Sequence, residues 1–125
     1  MNSGFNPVPK PAPDKKKKLL QNGYSDKPHR YCHYCGTSHA ERHEVYGGPN
    51  RQTSISHGFQ VDLCRDCHDE IEKNISERAQ ARNHYWQQHF QELYETRLSE
   101  LGLQRNQARM LWMKLIGRNY LEQEE

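Results

Sequence analysis

Apolar residues are scarce in this 125-residue chain: they make up 33% of it, and only three Phe and two Trp are present. Mean hydropathy is −1.20. A small domain already buries a lower fraction of its surface than a large one, so hydrophobic contacts alone leave little margin for folding. Runs of apolar residues are short as well. None approaches the roughly 18 residues of a membrane span, and the N-terminal stretch has no apolar h-region of a secretory signal. A spanning helix is therefore excluded, and the expected setting is the cytoplasm with reduced thiols. No internal repeat is apparent, which argues against a solenoid or repeat array.

Charge of one sign is also not in large excess. The net charge is +2, but residues 1–30 carry seven Lys/Arg against two Asp, and the remainder carries eleven against fourteen acidic residues. A basic arm thus precedes a mildly acidic body. Lys15, Lys16, Lys17 and Lys18 form its densest run, suited to tracking a phosphate backbone through counterion release. A solvated tail is the competing reading of the same residues.

What the chain does have is four cysteines in two Cys-x-x-Cys pairs, Cys32/Cys35 and Cys64/Cys67. Each pair makes a tight turn that aims two sulfurs at one point, and together they supply the four thiolates that tetrahedral Zn²⁺ prefers. Two disulfides are the alternative for four cysteines. They belong to secreted domains, for which the sequence gives no sign. Structural zinc contributes on the order of 10 kcal/mol to folding, enough to organise a segment with a marginal core.

Three regions follow. Residues 1–26 are a Pro/Lys-rich arm, with Pro7, Pro9, Pro11 and Pro13 favouring extended backbone over helix. Residues 27–75 are the zinc module. Within it Arg42 to Tyr46 reads as a strand, Gly47 to Asn50 as a turn or loop, and Phe59 to Leu63 as a second strand. A helix is expected from Cys67, with Ile71 and Ile75 on one face. Residues 76–125 read as two amphipathic helices. The first is capped by Ser76, carries Ala79, Trp86, Phe90, Leu93 and Leu101, and stops at Gly102. The second carries Ala108, Leu111, Trp112, Leu115 and Ile116. They either close as a hairpin on the zinc module or serve as a dimer contact.

Among the eight histidines, His43 lies on the first strand and His68 follows Cys67 directly, so a single ion can lie between them. Glu72 shares the helix face of His68 one turn on. Histidine near neutral pH accepts protons and binds divalent ions. His29, His33 and His39 surround the first cysteine pair, whose tetrahedron is already full, and His84 and His89 sit on a polar helix face. Trp86 and Trp112 read as packing anchors.

The string His43-Glu44-Val45-Tyr46-Gly47-Gly48-Pro49-Asn50-Arg51, followed by Ser54, Gly58 and Leu63-Cys64-Arg65-Asp66-Cys67-His68, resembles HNH endonucleases of the ββα-metal superfamily. More narrowly it is similar to small HNH-type proteins of bacteriophages and prophages. The proline arm with its lysine run and the closing Ile116-Gly117-Arg118-Asn119-Tyr120-Leu121 match that group too. The resemblance implies an α+β fold, a treble-clef-like ββα-metal module with a C-terminal helical hairpin. It also implies a DNA endonuclease working through metal-activated water, with Zn²⁺ structural and Mg²⁺ or Mn²⁺ catalytic, Zn²⁺ or Ni²⁺ being the other candidates. The family opens its motif with a ligand–base doublet. Here either Arg42-His43 or His43-Glu44 occupies it, which leaves His43 and Glu44 to divide the roles of ligand and base. His68 and Glu72 are the implied ligands of the catalytic ion. Asn50, or His57, takes the place of the loop-holding asparagine, and Arg51 contacts the phosphate. The implied partner is DNA, with a phage protein or a second copy reached through the C-terminal helices, and the implied location is the cytoplasm of a bacterial host. A catalytically inactive zinc module that binds DNA or a protein is the alternative function.

Overall fold

The computed structural model describes residues 30–121. The Lys15–Lys18 run and the rest of the 1–26 arm lie outside the described residues. After the first cysteine turn the elements are β1 (Glu41–Glu44), a 3-10 turn (Gly48–Asn50), α1 (Arg51–His57), β2 (Gln60–Leu63), α2 (Arg65–Lys73), α3 (Glu77–Glu100) and α4 (Arg105–Leu115). The two strands pair antiparallel, with Glu41 opposite Leu63 and His43 opposite Val61. The described residues thus form an α+β unit of four α-helices and one two-stranded sheet.

Both strands form where expected, but β1 begins one residue earlier, at Glu41, and ends at Glu44, leaving Val45 and Tyr46 beyond it. Val61 and Leu63 are buried while Gln60 and Asp62 are half-exposed, the period-two pattern of a sheet with one face covered. Between the strands, the expected loop is instead a 3-10 turn and a two-turn helix. The segment Arg51–His57 has no apolar stripe to announce α1. Its one buried residue is polar: Ser54 Oγ accepts from the Tyr46 amide at 3.0 Å and donates to the Tyr46 carbonyl at 2.8 Å. One hydroxyl thus satisfies both backbone groups of a residue just beyond β1. Gly58 closes α1 at φ 76°, a left-handed geometry that glycine adopts without strain.

Helix α2 starts two residues earlier than expected, because Cys64 serves as its N-cap and accepts from the Cys67 amide at 3.4 Å. Asn74 ends it at φ 53°. That left-handed residue turns the chain, so Ile71 is buried at 2% exposure while Ile75, expected on the same face, is 78% exposed. Ser76 caps α3 as expected, accepting from the Ala79 amide at 3.0 Å.

The helical hairpin folds onto the sheet module. Trp86, Trp112 and Ile116 join Val45, Tyr46, Phe59, Val61, Leu63 and Ile71 in one apolar cluster. Trp112 is fully buried, with its ring against those of Tyr46, Phe59 and Tyr94. Three stripe residues are corrected: Leu93 and Leu101 on α3 and Leu111 on α4 are exposed. The buried positions in that part of α3 are Gln91 and Glu95. Gln91 Nε2 donates to Glu95 and Asn119, both at 2.8 Å, and its Oε1 accepts from the Tyr120 amide at 2.8 Å. Arg109 Nε pairs with Glu95 at 2.7 Å. This buried polar network fastens the segment after α4 against α3, and every member has a partner, as burial requires.

Candidate metal centres

Two donor clusters meet on α2. In the first, one donor atom from each of Cys32, Cys35, Cys64 and Cys67 lies within 4.8 Å of the others. All four cysteines are free. Cys35 Sγ and Cys64 Sγ approach to 3.4 Å, near the edge of about 3.8 Å that a tetrahedron with 2.3 Å Zn–S bonds would have. The first pair is held in a turn by the Gly36 amide on the Cys32 carbonyl, and His33 N donates to Asp62 O, each at 2.9 Å. The second pair sits at the start of α2.

The thiols affect one another strongly. Burial, together with the Cys64 and Cys32 side chains, pushes Cys67 up to about 12. Burial alone would also raise Cys32, but backbone hydrogen bonds with Cys35, Cys64 and Tyr34 bring it down to about 6. Four free sulfurs this close form a site made of metal-ligating donors alone. A four-thiolate cluster of this kind fits a structural metal such as zinc.

The second cluster is His43, His68 and Glu72, again with donor atoms within 4.8 Å of one another. His43 comes from β1 and the other two from successive turns of α2. His68 Nε2 lies 3.1 Å from Glu72 Oε2, and the His43 and His68 ring centroids are 5.2 Å apart. His43 is buried, and its Nδ1 has no hydrogen-bond partner. Burial, then the neighbouring His68, depress its pKa to about 4, with Glu72 acting against them. At neutral pH its imidazole is therefore uncharged and holds a free lone pair. An uncharged, buried imidazole beside a second imidazole and a carboxylate is a donor set that fits a divalent ion.

A fourth residue belongs here that sequence reasoning missed. Glu41 lies two positions before His43, hence on the same face of β1, and its Oε1 is 2.8 Å from His68 Nδ1. Its Oε2 lies 3.3 Å from Arg65 Nη2. The hydrogen bond to His68, helped by Arg65, lowers the Glu41 pKa. The alternation of a strand was the available signal: the partner of His43 on its face is residue 41, and residue 44 is on the other.

Glu44 accordingly turns away from the cluster. Its carboxylate is 3.4 Å from Arg51 Nε and accepts from Gln60 Nε2 at 3.2 Å. Arg51 opens α1 and is largely exposed. Asn50 Nδ2 donates to the Ile116 carbonyl at 2.9 Å, tying the inter-strand segment to the end of α4. His57 stacks on Phe59. His84 is exposed, and His89 stacks on Tyr85. No helix among the described residues is long and apolar enough to cross a membrane. Compared with known proteins, the chain matches no protein-family model, no curated relative and no solved structure.

Proposed function

We propose that this protein is a metal-dependent DNA endonuclease of the HNH type, phage-encoded, with the cysteine cluster as its structural zinc site and the histidine cluster as its reaction centre. The observation that carries the reading is the donor cluster of His43, His68 and Glu72, in which His43 is buried and uncharged at neutral pH.

The donor spacing suggests a division of roles. His68 Nε2 and Glu72 Oε2, 3.1 Å apart, match the edge of about 3.0 Å of an octahedron with 2.1 Å metal–ligand bonds. They hold the ion. A divalent cation there would polarise a phosphodiester and stabilise charge on the leaving 3′ oxygen. One imidazole and one carboxylate, with the other positions left to water, suit Mn²⁺, Ni²⁺ or Zn²⁺, and Mg²⁺ less well. His43, uncharged and next to that position, accepts the proton of the attacking water, while Glu44 orients Arg51 toward a phosphate oxygen. The Lys15–Lys18 run adds sequence-independent, salt-sensitive affinity for DNA.

Incubation with supercoiled plasmid and Mg²⁺, Mn²⁺, Ni²⁺ or Zn²⁺ tests this. Metal-dependent nicking is expected, reduced roughly 10²–10⁴-fold in His43→Ala and abolished in His68→Ala. Absence of nicking by the wild type, or equal nicking by both variants, overturns it. One observation favours a non-catalytic zinc module instead: Arg51 and Arg65, the arginines beside the cluster, are each held by a carboxylate. Plasmid binding without nicking under all four metals would select that reading.

A further inference from the structure

We infer that Glu41 is a positioning residue for the second metal site: its carboxylate holds the proton of His68 on Nδ1 and so leaves the Nε2 lone pair facing Glu72 and an incoming cation. This rests on the reading of His68 and Glu72 as ion ligands and adds the element that selects which nitrogen binds.

An ionised carboxylate only accepts hydrogen bonds. The contact of 2.8 Å between Glu41 Oε1 and His68 Nδ1 therefore requires a proton on Nδ1. In a neutral imidazole the other nitrogen is then an acceptor. Nε2 faces Glu72 Oε2 at 3.1 Å, so two lone pairs point at one another. That approach is favourable only with a positive charge between them, either a proton or a metal ion. Arg65 Nη2 lies 3.3 Å from the second Glu41 oxygen, so both oxygens of the carboxylate have a partner. A carboxylate behind a metal-binding histidine orients the ring and raises its basicity, typically changing metal affinity 10–100-fold.

The two strands and α2 make this arrangement specific. Glu41 and His43 project from the same face of β1 onto the same turn of α2, one reaching Nδ1 of His68 and the other packing on its ring. Moving the carboxylate to position 42 or 44 would send it to the opposite face.

Glu41→Gln is the informative variant, because it preserves shape at a partly exposed position while its amide both donates and accepts and so selects neither tautomer. Protein loaded with structural zinc but free of the second ion is compared by ¹H–¹⁵N imidazole NMR at pH 8.5. Its Mn²⁺ affinity is then measured by calorimetry. Wild type is expected to carry the His68 proton on Nδ1. In Glu41→Gln that preference is lost, and Mn²⁺ binding weakens at least tenfold. An unchanged His68 tautomer, or Mn²⁺ affinity within twofold of wild type, overturns the inference. Neither readout involves DNA. A wild type that fails to nick plasmid while these two readouts respond sinks the nuclease reading and leaves the role of Glu41 standing.

Discussion

Cys67 and His68 are consecutive residues of α2, and each serves a different donor cluster. Around Cys67 the neighbours are other thiols, whose proximity and burial drive its proton affinity up to about 12. His68 lies between Glu41 and Glu72, so both of its ring nitrogens face protein carboxylates. The first cluster is built of thiols alone, whereas the second contains hydrogen-bonding carboxylates around His68 and one nitrogen of His43 without a partner. On the proposed reading the difference assigns ion binding at the cysteines to folding, and ion binding at the histidines to an event that an already folded protein undergoes and reverses.

Removing the ion of the cysteine cluster is the harshest test of this contrast. Chelation, or Cys64→Ala, is expected to cost on the order of 10 kcal/mol and to abolish cooperative thermal unfolding followed by circular dichroism. An unchanged melting curve would erase the distinction between the clusters. Next in size is Trp112→Ala, with a loss of about 3–5 kcal/mol in denaturant unfolding. Because Trp112 packs on Tyr46 and Phe59 from the sheet module, a single transition is expected. Separate transitions for sheet and hairpin would show that the apolar cluster does not couple them.

Glu72→Gln addresses the other side of the contrast. Glu72 is 61% exposed, so stability should change by less than about 1 kcal/mol while binding of the second ion is lost in calorimetry. Unfolding of this variant would mean that the histidine cluster, too, is structural. The smallest expected effect is in pH. His43 has a folded-state pKa of about 4 against 6.5 when unfolded, so below pH 6.5 the unfolded chain takes up a proton that the folded one refuses. Stability is held above pH 6.5 and lost as pH falls toward 4. Between pH 6.5 and 5.5 the loss is roughly 1 kcal/mol, measured as the difference between wild type and His43→Gln with the second ion absent. Equal slopes would show that His43 is not buried in its neutral form.

The parts legible in the sequence were those encoded by short spacing. Cys-x-x-Cys defines a turn, Ser76 stands three residues before the amide it caps, and Glu72 follows His68 by one helical turn. Alternation marked the second strand, and the first was expected one residue late, from Arg42, with His43 on it. The rest depends on partners remote in sequence. Helix α1 lacks an apolar stripe and is anchored by Ser54 on the backbone of Tyr46. Gln91 and Glu95 are buried where Leu93 and Leu101 promised an apolar seam, because the segment after α4 returns to hydrogen-bond with Gln91 and Arg109 of α4 pairs with Glu95. Glu41 meets His68 across 27 positions, a pairing visible only once the strand is laid beside the helix. The parity of the strand, which puts Glu41 rather than Glu44 with His43, was written in the sequence and went unread.

Cys64 gives the molecule an indexing mark. Its sulfur is both a donor of the metal cluster and the acceptor that caps α2 through the Cys67 amide. The atom that grips the ion therefore also sets the rotational phase of the helix. Each residue advances a helix by about 100°, so a start displaced by one position would swing His68 away from β1 and carry Glu72 with it. Metal capture at one cluster in this way sets the clock position at which the other comes into view.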